Sequence, residues 1–179
     1  MIYLFLAEGF EEIEALCPLD LLRRAGLPVT TGGVGGKQIT GAHGICVQAD
    51  ILDADYADPA PDMVILPGGM PGTLNLSNSP VVKTAIETAH SLGAYLAAIC
   101  AAPSILGDMG LLQGKEAICF PGFEDRLAGA TLSSSRVVRD GKVITAAGMG
   151  VALEFGLTLV SVFRGTEEAE ALRKSVLAD

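Results

Sequence analysis

The sequence has no tryptophan, and aromatic residues make up only 5% of its 179 residues. Hydrophobic residues still amount to 50%, so the core must be aliphatic and the composition is that of a folded chain. The length fits one domain. We therefore expect a single domain over residues 1–179, with a core built mainly from Ala, Val, Leu and Ile.

Basic residues are also few, with 12 Lys and Arg against 21 Asp and Glu and a formal net charge of −9. This charge repels phosphate backbones, so nucleic-acid binding is not expected. No apolar run approaches the length of a bilayer span, and the N-terminal MIYLFLA meets Glu8 without a basic segment. The sequence therefore predicts no membrane span and no signal peptide, and favours a cytoplasmic protein.

Closely spaced metal-ligating residues are missing as well. The two histidines, His43 and His90, are far apart, and the cysteines are too widely spaced for a CxxC motif: Cys17, Cys46, Cys100 and Cys119. Zinc and thioredoxin-type sites are therefore not expected, and no metal is predicted. In a reducing compartment all four cysteines should be free thiols, three of them as small core residues.

What the sequence does contain is a series of short apolar runs alternating with helical patterns. This alternation predicts an α/β fold, with a parallel sheet that carries helices on both faces. Strands are predicted at residues 2–6, 27–31, 45–47, 63–66, 94–99 and 116–119, with a hairpin over residues 136–145. Helices are predicted at residues 11–25, with a kink or restart at Pro18, and at residues 79–92, 102–109, 152–163 and 166–177.

The glycine-rich stretch from Thr31 to Lys37 invites a phosphate-binding interpretation. It departs from the P-loop pattern at both ends, and no helix signal follows it as the dinucleotide pattern requires. We expect a surface loop at residues 32–36 and no nucleotide cofactor.

The segment around Cys100 is the most informative part of the sequence. An apolar strand ends there, a helix begins almost without a loop, and small residues flank the cysteine, as a nucleophile elbow requires. A helix start would stabilise a thiolate at this position. The alternative is an inert cysteine buried in an alanine-rich strand.

Two other predicted strand ends should lie beside Cys100, since ligands bind at the carboxyl ends of parallel strands. Gly68 and Gly69 follow the strand at residues 63–66, and their N–H groups, with that of Ala101, could form an oxyanion site or simply an ordinary turn. After the first strand come four glutamates, most of which should be solvated. Among them Glu14 lies where the helix turns inward, although periodicity alone does not distinguish it from Glu11 and Glu12.

Five segments together resemble the ThiJ/PfpI superfamily, in particular its DJ-one and YajL-type branch. They are EGFEEIEALCPLDLLRRAG (residues 8–26), VILPGGMPGTLNL (64–76), AAICAAPSIL (97–106), FPGFEDRL (120–127) and GMGVALEFGL (148–157). The resemblance spans nearly the whole chain. It implies a flavodoxin-like fold, without a cofactor, and a homodimer that buries the first helix against its mate.

The resemblance also assigns site residues. Cys100 matches the reactive cysteine, Glu14 the buried glutamate hydrogen-bonded to its sulfur, Gly68 and Gly69 the facing glycine turn, and Ala101 the neighbouring backbone N–H. We accordingly expect Glu14 to be protonated near neutral pH.

Two pocket positions depart from the family pattern. Phe120 stands where many relatives have a histidine, so the Cys–His dyad of the protease branch is missing. His43 aligns, across a one-residue gap, with an arginine near the active site of the animal proteins. The loop at residues 146–151 also lacks the polar side chains common in relatives.

The resemblance implies a cysteine-dependent glyoxalase or deglycase that acts on small 2-oxoaldehydes, or on their protein adducts, under oxidative and carbonyl stress. A redox-sensing or chaperone-like dimer with an oxidisable cysteine remains the alternative, and a peptidase is disfavoured by Phe120. In either case mild peroxide should oxidise Cys100 first, since Cys17, Cys46 and Cys119 should be core thiols.

Overall fold

A computed structural model describes residues 1–178 as a three-layer α/β fold with a mostly parallel central sheet. The strands are β1 (Ile2–Leu6), β2 (Val29–Gly33), β3 (Gln38–Thr40), β4 (Cys46–Gln48), β5 (Ile51–Leu52), β6 (Met63–Leu66), β7 (Tyr95–Ile99), β8 (Glu116–Ala117), β9 (Thr131–Leu132), β10 (Val137–Asp140) and β11 (Val143–Ala146). The helices are α1 (Glu12–Arg24), α2 (Gly72–Asn78), α3 (Pro80–Ser91), α4 (Pro103–Asp108), α5 (Ala152–Arg164) and α6 (Thr166–Ser175).

The main sheet has seven strands in the order β10-β11-β7-β6-β1-β2-β5. All neighbours in it are parallel except β10 and β11, which form the predicted hairpin. Two small two-stranded sheets, β3-β4 and β8-β9, lie outside it. The α/β prediction is therefore confirmed, with one antiparallel edge strand added.

Helices cover both faces of the sheet, because successive side chains of a strand point to opposite sides. In β1, Leu4 and Leu6 pack into the core that contains α1, α5 and α6, whereas Phe5 packs into the core on the side of α2, α3 and α4. Within residues 1–178 no helix is long and apolar enough to cross a membrane.

Helix α1 is continuous through Pro18, where a kink or restart was predicted. It packs against α5 at Gly156, where a Cβ would come 2.6 Å from Leu21 Cδ1 and 2.9 Å from Pro18 Cα. Glycine at this position lets the two helices approach closely. The contact fixes α1, and therefore the position of Glu14 at its first turn.

Several boundaries differ from the sequence prediction. Gly32 and Gly33, expected in a loop, are buried residues of β2; a Cβ on Gly32 would come within 3.0 Å of the Phe5 ring. Small residues, rather than β-branched ones, make room for that aromatic side chain. Helix α2 was missed because its sequence GTLNLSN contains Gly, Asn and Ser, which have low helix propensity. The prediction for Ser79 holds: its side chain caps α3, with Pro80 at the first position.

Candidate functional site

Cys100 lies at the sharp turn between β7 and α4, at the carboxyl edge of the central sheet. Its φ of 65° is in the left-handed region, which non-glycine residues rarely adopt. The turn is held from both sides, because the Cys100 N–H donates to Ala146 O at 2.9 Å and Phe120 N–H donates to Cys100 O at 2.8 Å. The backbone conformation is that of the nucleophile elbow expected from the sequence.

The first turn of α1 brings Glu14 to this cysteine. The Glu14 side chain is buried and hydrogen-bonded to Cys100, and its Oε2 accepts from the Gly68 N–H at 3.1 Å. A Cβ on Gly68 would lie 2.6 Å from both Cys100 Cβ and Glu14 Oε2. Only glycine fits between the two side chains, which explains the first residue of the Gly-Gly pair.

Backbone N–H groups complete the surroundings of the sulfur. Those of Ala101 and Gly69 are directed at the Cys100 thiol. Gly69 has a φ of 90°, a conformation that favours glycine, and this orients its peptide. The structure thus brings together the five residues expected at the reactive centre: Glu14, Gly68, Gly69, Cys100 and Ala101.

Burial opposes the ionisation of both side chains. Burial raises the pKa of Glu14 to about 7, although the Cys100 thiol hydrogen bond acts in the other direction. Burial, together with the facing Glu14 carboxylate, raises the pKa of Cys100 to about 12. Between these values the pair consists of a carboxylate and a thiol, and Glu14 titrates close to neutral pH.

The raised pKa of Cys100 differs from the thiolate that a helix start predicts. Helix α4 has only six residues, Pro103–Asp108, and no side chain caps it. A short helix offers a weak dipole, and burial beside a carboxylate outweighs it. Near neutral pH the Cys100 side chain is therefore a thiol that faces the Glu14 carboxyl group, and not a preformed thiolate.

The two pocket residues expected from the sequence, Phe120 and His43, lie in different surroundings. Phe120 is 48% exposed and its ring lies against the backbone of Gly148, beside the reactive pair. His43 instead pairs with a second glutamate of α1, because its Nδ1 lies 2.8 Å from Glu12 Oε2. His43 is therefore a structural residue that pairs with Glu12 next to the site.

Glu12 was expected to be solvated, and the structure shows that it is buried. Its Oε1 accepts from the N–H groups of His43 at 2.7 Å and Ile45 at 3.4 Å, so it anchors the loop between β3 and β4. His43 lies 31 positions from Glu12, and no local pattern could have linked them. Donor atoms of Glu11, Glu12 and His43 lie within 4.8 Å of one another, but both Glu12 oxygens are already engaged in holding this loop.

The other cysteines do not share these surroundings. Cys119 is buried, as expected, but it follows β8 rather than lying in a strand, and burial raises its pKa to about 11. Cys17 is half-buried in α1. Cys46, expected to be a core thiol, is exposed, because β4 belongs to the small hairpin outside the main sheet.

Comparison with known proteins agrees with this fold. The family model described as DJ-1/PfpI matches residues 1–162. The chain belongs to the DJ-1/PfpI family. Solved structures agree: "Toxoplasma gondii DJ-1, oxidized" superposes with a TM-score of 0.94 at 33% identity, covering 98% of this chain and 97% of that one.

Curated relatives of the DJ-1 group align over most of the chain. "Protein DJ-1 homolog B" of Arabidopsis thaliana is 41% identical over 91% of this chain, which spans only 38% of that protein's length. The "Parkinson disease protein 7 homolog" of Danio rerio is 38% identical, and the alignment covers 96% of this chain and 94% of that protein. The "Glutathione-independent glyoxalase DJR-1.2" of Caenorhabditis elegans is 32% identical, covering 93% and 90% respectively.

Proposed function

We propose that this protein is a cofactor-free, cysteine-dependent enzyme that converts 2-oxoaldehydes to 2-hydroxy acids, as a glyoxalase or as a deglycase that acts on their protein adducts. The observation that carries the proposal is the hydrogen-bonded pair of Cys100 and Glu14 at the strained turn. A DJ-1 relative named a glutathione-independent glyoxalase supports it. Oxidative and carbonyl stress would supply such substrates.

The first step is addition of Cys100 Sγ to the aldehyde carbon. The new C–S bond forms as the Glu14 carboxylate takes the thiol proton, and the carbonyl oxygen becomes the alkoxide of a hemithioacetal. The N–H groups of Ala101 and Gly69, which are directed at the sulfur, lie where they can donate to this oxygen. Glu14 then returns this proton to the alkoxide, which gives the neutral hemithioacetal and restores the Glu14 carboxylate.

The second step moves a hydrogen between the two substrate carbons. Glu14 removes the proton from the carbon bonded to sulfur, the hydroxyl proton on that carbon moves to the neighbouring oxygen by way of an enediol, and Glu14 returns its proton to the neighbouring carbon. This leaves a 2-hydroxy thioester. Its pKa of about 7 suits a group that both accepts and donates protons near neutral pH. Water then cleaves the thioester, and this releases the 2-hydroxy acid and regenerates the thiol.

The test is a glyoxalase and deglycase assay of wild type beside Cys100→Ser. We expect the variant to lose activity on methylglyoxal and on methylglyoxal-modified peptide to the level of the uncatalysed reaction. Cys46→Ser, which changes an exposed thiol in the small β3-β4 hairpin, is the matched control and should keep activity. Equal turnover by wild type and Cys100→Ser would refute the mechanism.

A second candidate function is redox sensing by the same cysteine. The relative whose structure is described as oxidised supports it, as do the backbone N–H groups that face the Cys100 sulfur and would stabilise a sulfinate. Graded peroxide followed by peptide mass mapping should show two oxygens added to Cys100 first. Exposed Cys46 is the competing thiol, and its earlier modification would contradict this proposal.

We also propose a homodimer in a reducing compartment such as the cytoplasm, where Cys100 stays a free thiol. Helix α1 offers less uncovered apolar surface than its sequence predicts, because α5 and the sheet bury Leu19, Leu21 and Leu22. Ile13 is 49% exposed and Ile45 53% exposed, and they would form the centre of the contact.

Light scattering at micromolar concentration tests the dimer. Wild type should have twice the mass of the chain, and Ile13→Glu should shift it to the monomer, because two buried carboxylates would face the interface. Glu116→Gln, an exposed change in β8, should leave the mass unchanged. A monomeric wild type would overturn the proposal.

A further inference from the structure

A cleft of about 340 Å³ opens beside the reactive pair, and the mechanism leaves it unused. Its walls are mostly apolar, with one charged side chain, that of Arg136. The apolar lining comes from Phe120, Pro121, Ala147, Met149 and Val151. Such a mixture of apolar walls and a single ionic group is typical of small-molecule sites.

The cleft shares its wall with the Cys100–Glu14 pair. A Cβ on Gly148 would lie 3.2 Å from the Phe120 ring on one side and 3.8 Å from Glu14 Oε1 on the other. The Met149 N–H is directed at the Glu14 carboxyl, and the Phe120 N–H donates to the Cys100 carbonyl. A molecule bonded to the sulfur can therefore extend past Gly148 into the cleft.

Two large apolar side chains at this cleft face solvent. Phe120 is 48% exposed and Met149 is 53% exposed. An aromatic or branched group lying between them would remove apolar surface of both residues from water, which is favourable. The methyl group of methylglyoxal is too small to cover them.

Arg136 is fixed on the cleft wall. Its carbonyl accepts from the Ala147 N–H at 2.9 Å, and its Nη2 donates to Gly150 O at 3.2 Å. No carboxylate of residues 1–178 lies within 4 Å of its guanidinium nitrogens. The remaining N–H groups are available to an anion, and arginine binds carboxylates with paired hydrogen bonds.

The charges around the site would orient such a ligand. Glu11, Glu12 and Glu14 lie at or beside the reactive end, where they disfavour a second carboxylate. Arg136 is at the cleft, in a protein whose formal net charge is −9. The aldehyde is thus directed to Cys100 and the anionic end to Arg136.

We propose that this cleft is a substrate subsite, and that the preferred substrates are 2-oxoaldehydes with an aromatic or branched apolar body that ends in a carboxylate. The proposal rests on the proposed function for the chemistry at Cys100 and adds the class of substrate. Met149 and Phe120 contact the apolar body, and Arg136 binds the carboxylate.

The test measures binding without turnover, as protection of Cys100 from iodoacetamide, read by peptide mass mapping. The probes are benzaldehyde and 4-phenylbenzaldehyde, each with and without a para carboxylate at the far end, so that two lengths are sampled. We expect the carboxylate to lower the half-protecting concentration about tenfold for at least one length, as a charge-assisted hydrogen bond predicts.

Substitutions test which residues cause the stronger protection by the carboxylate-bearing aldehydes. Arg136→Gln should abolish the carboxylate advantage and leave protection by the neutral aldehydes unchanged. Arg139→Gln is the matched control, since that exposed arginine lies in β10 and contacts Tyr95 instead. Met149→Ser should weaken protection by both aromatic aldehydes about threefold through lost apolar contact, and should not affect protection by glyoxylate.

The possible outcomes distinguish a failure of the proposed subsite from a failure of the proposed enzymatic function. No carboxylate advantage at either length, or an advantage that survives Arg136→Gln, overturns the subsite whether or not methylglyoxal is turned over. An advantage that depends on Arg136 in a protein without any turnover supports the subsite and refutes the enzyme. Loss of the dimer in Met149→Ser would assign the cleft to a contact between two copies of the chain and overturn the subsite.

Discussion

Two glutamates of one helix turn, Glu12 and Glu14, are both buried and yet have opposite electrostatic behaviour. Burial raises the pKa of each. For Glu12, hydrogen bonds from His43 and Ile45 outweigh burial, and the pKa lies below its ordinary value. For Glu14, burial prevails and the pKa rises to about 7.

The charge of the side-chain partner, rather than a lack of backbone donors, explains the difference. Glu12 accepts from two backbone N–H groups and from the His43 ring, whose own pKa this pairing raises. Glu14 also accepts from two backbone N–H groups, those of Gly68 and Met149, but its side-chain partner is a neutral thiol and the charge of Glu11 lies nearby. A buried carboxylate that faces a cationic donor stays ionised, and one that faces a neutral thiol and a second carboxylate can exchange protons near neutral pH.

The largest expected difference between substitutions of the two glutamates is in catalytic activity. Glu14→Gln should lower kcat/KM for methylglyoxal by about 10²–10⁴-fold, the range of general acid–base catalysis, because glutamine cannot move protons. Glu12→Gln should stay within about tenfold of wild type, since it changes only the support of a loop. Steady-state kinetics on the two variants measures this. Equal losses would show that the two carboxylates do not differ in role.

The next largest expected difference between Glu14 and Glu12 is in how each affects the pH dependence of the unfolding free energy. The folded pKa of Glu14 is raised from 4.5 to about 7, so its contribution to stability is full below pH 4.5 and is lost as pH rises through 7. Relative to Glu14→Gln, wild type should therefore lose about 3 kcal/mol of unfolding free energy between pH 4.5 and pH 8.

Urea unfolding of both proteins across this range provides the measurement. For Glu12, whose folded pKa is lowered, the contribution is present above its unfolded pKa and is lost as pH falls. Relative to Glu12→Gln, wild type should therefore gain stability as pH rises, which is the opposite sign. Most of this change lies below pH 4.5, so the unfolding series with Glu12→Gln extends down to about pH 3. A parallel dependence in both variants would contradict the assigned pKa shifts.

A smaller effect concerns stability at neutral pH. Glu12→Gln should cost about 2 kcal/mol of unfolding free energy, because hydrogen bonds to a buried charge are replaced by weaker ones. Glu8→Gln is the matched control, since exposed Glu8 accepts one hydrogen bond, from the Thr40 N–H at 3.0 Å, and should cost less. If the two variants lost the same stability, Glu12 would not be the anchor of the loop.

The smallest effect is that of His43→Asn. The histidine ring is exposed, and the backbone N–H groups of His43 and Ile45 still reach Glu12 without it. Its contribution is present below the unfolded pKa of histidine and is lost as pH rises through the raised folded pKa. Thermal unfolding should therefore show a difference from wild type at pH 5.5 that is smaller at pH 8.5, and activity should change little.

Much of the site could be predicted from local sequence. An apolar strand followed directly by a helix pattern placed Cys100 at a turn, and a Gly-Gly pair at the end of the neighbouring strand placed Gly68 and Gly69 opposite it. These predictions worked because parallel strands end at one edge of a sheet, whatever the details of their packing.

Other features could not be predicted because they depend on distant parts of the chain. The periodicity of α1 did not distinguish Glu14 from Glu11 and Glu12. Only the resemblance to the family assigned Glu14 to the site. Arg136 was not recognised as a site residue, since only the folded hairpin brings it to the loop at Gly150. Cys46 was expected in the core, although its strand lies outside the main sheet.

The sequence by itself determined the alternation of strands and helices, the aliphatic core and the small residues around the turn at Cys100. These follow from side-chain size and hydrophobic period, which act locally. Only the tertiary structure decided which glutamate titrates near neutral pH, that the pKa of Cys100 is raised, and that Arg136 lies at the cleft. Those properties depend on burial and on donors from elsewhere in the chain, and a pKa is set by the sum of such contacts.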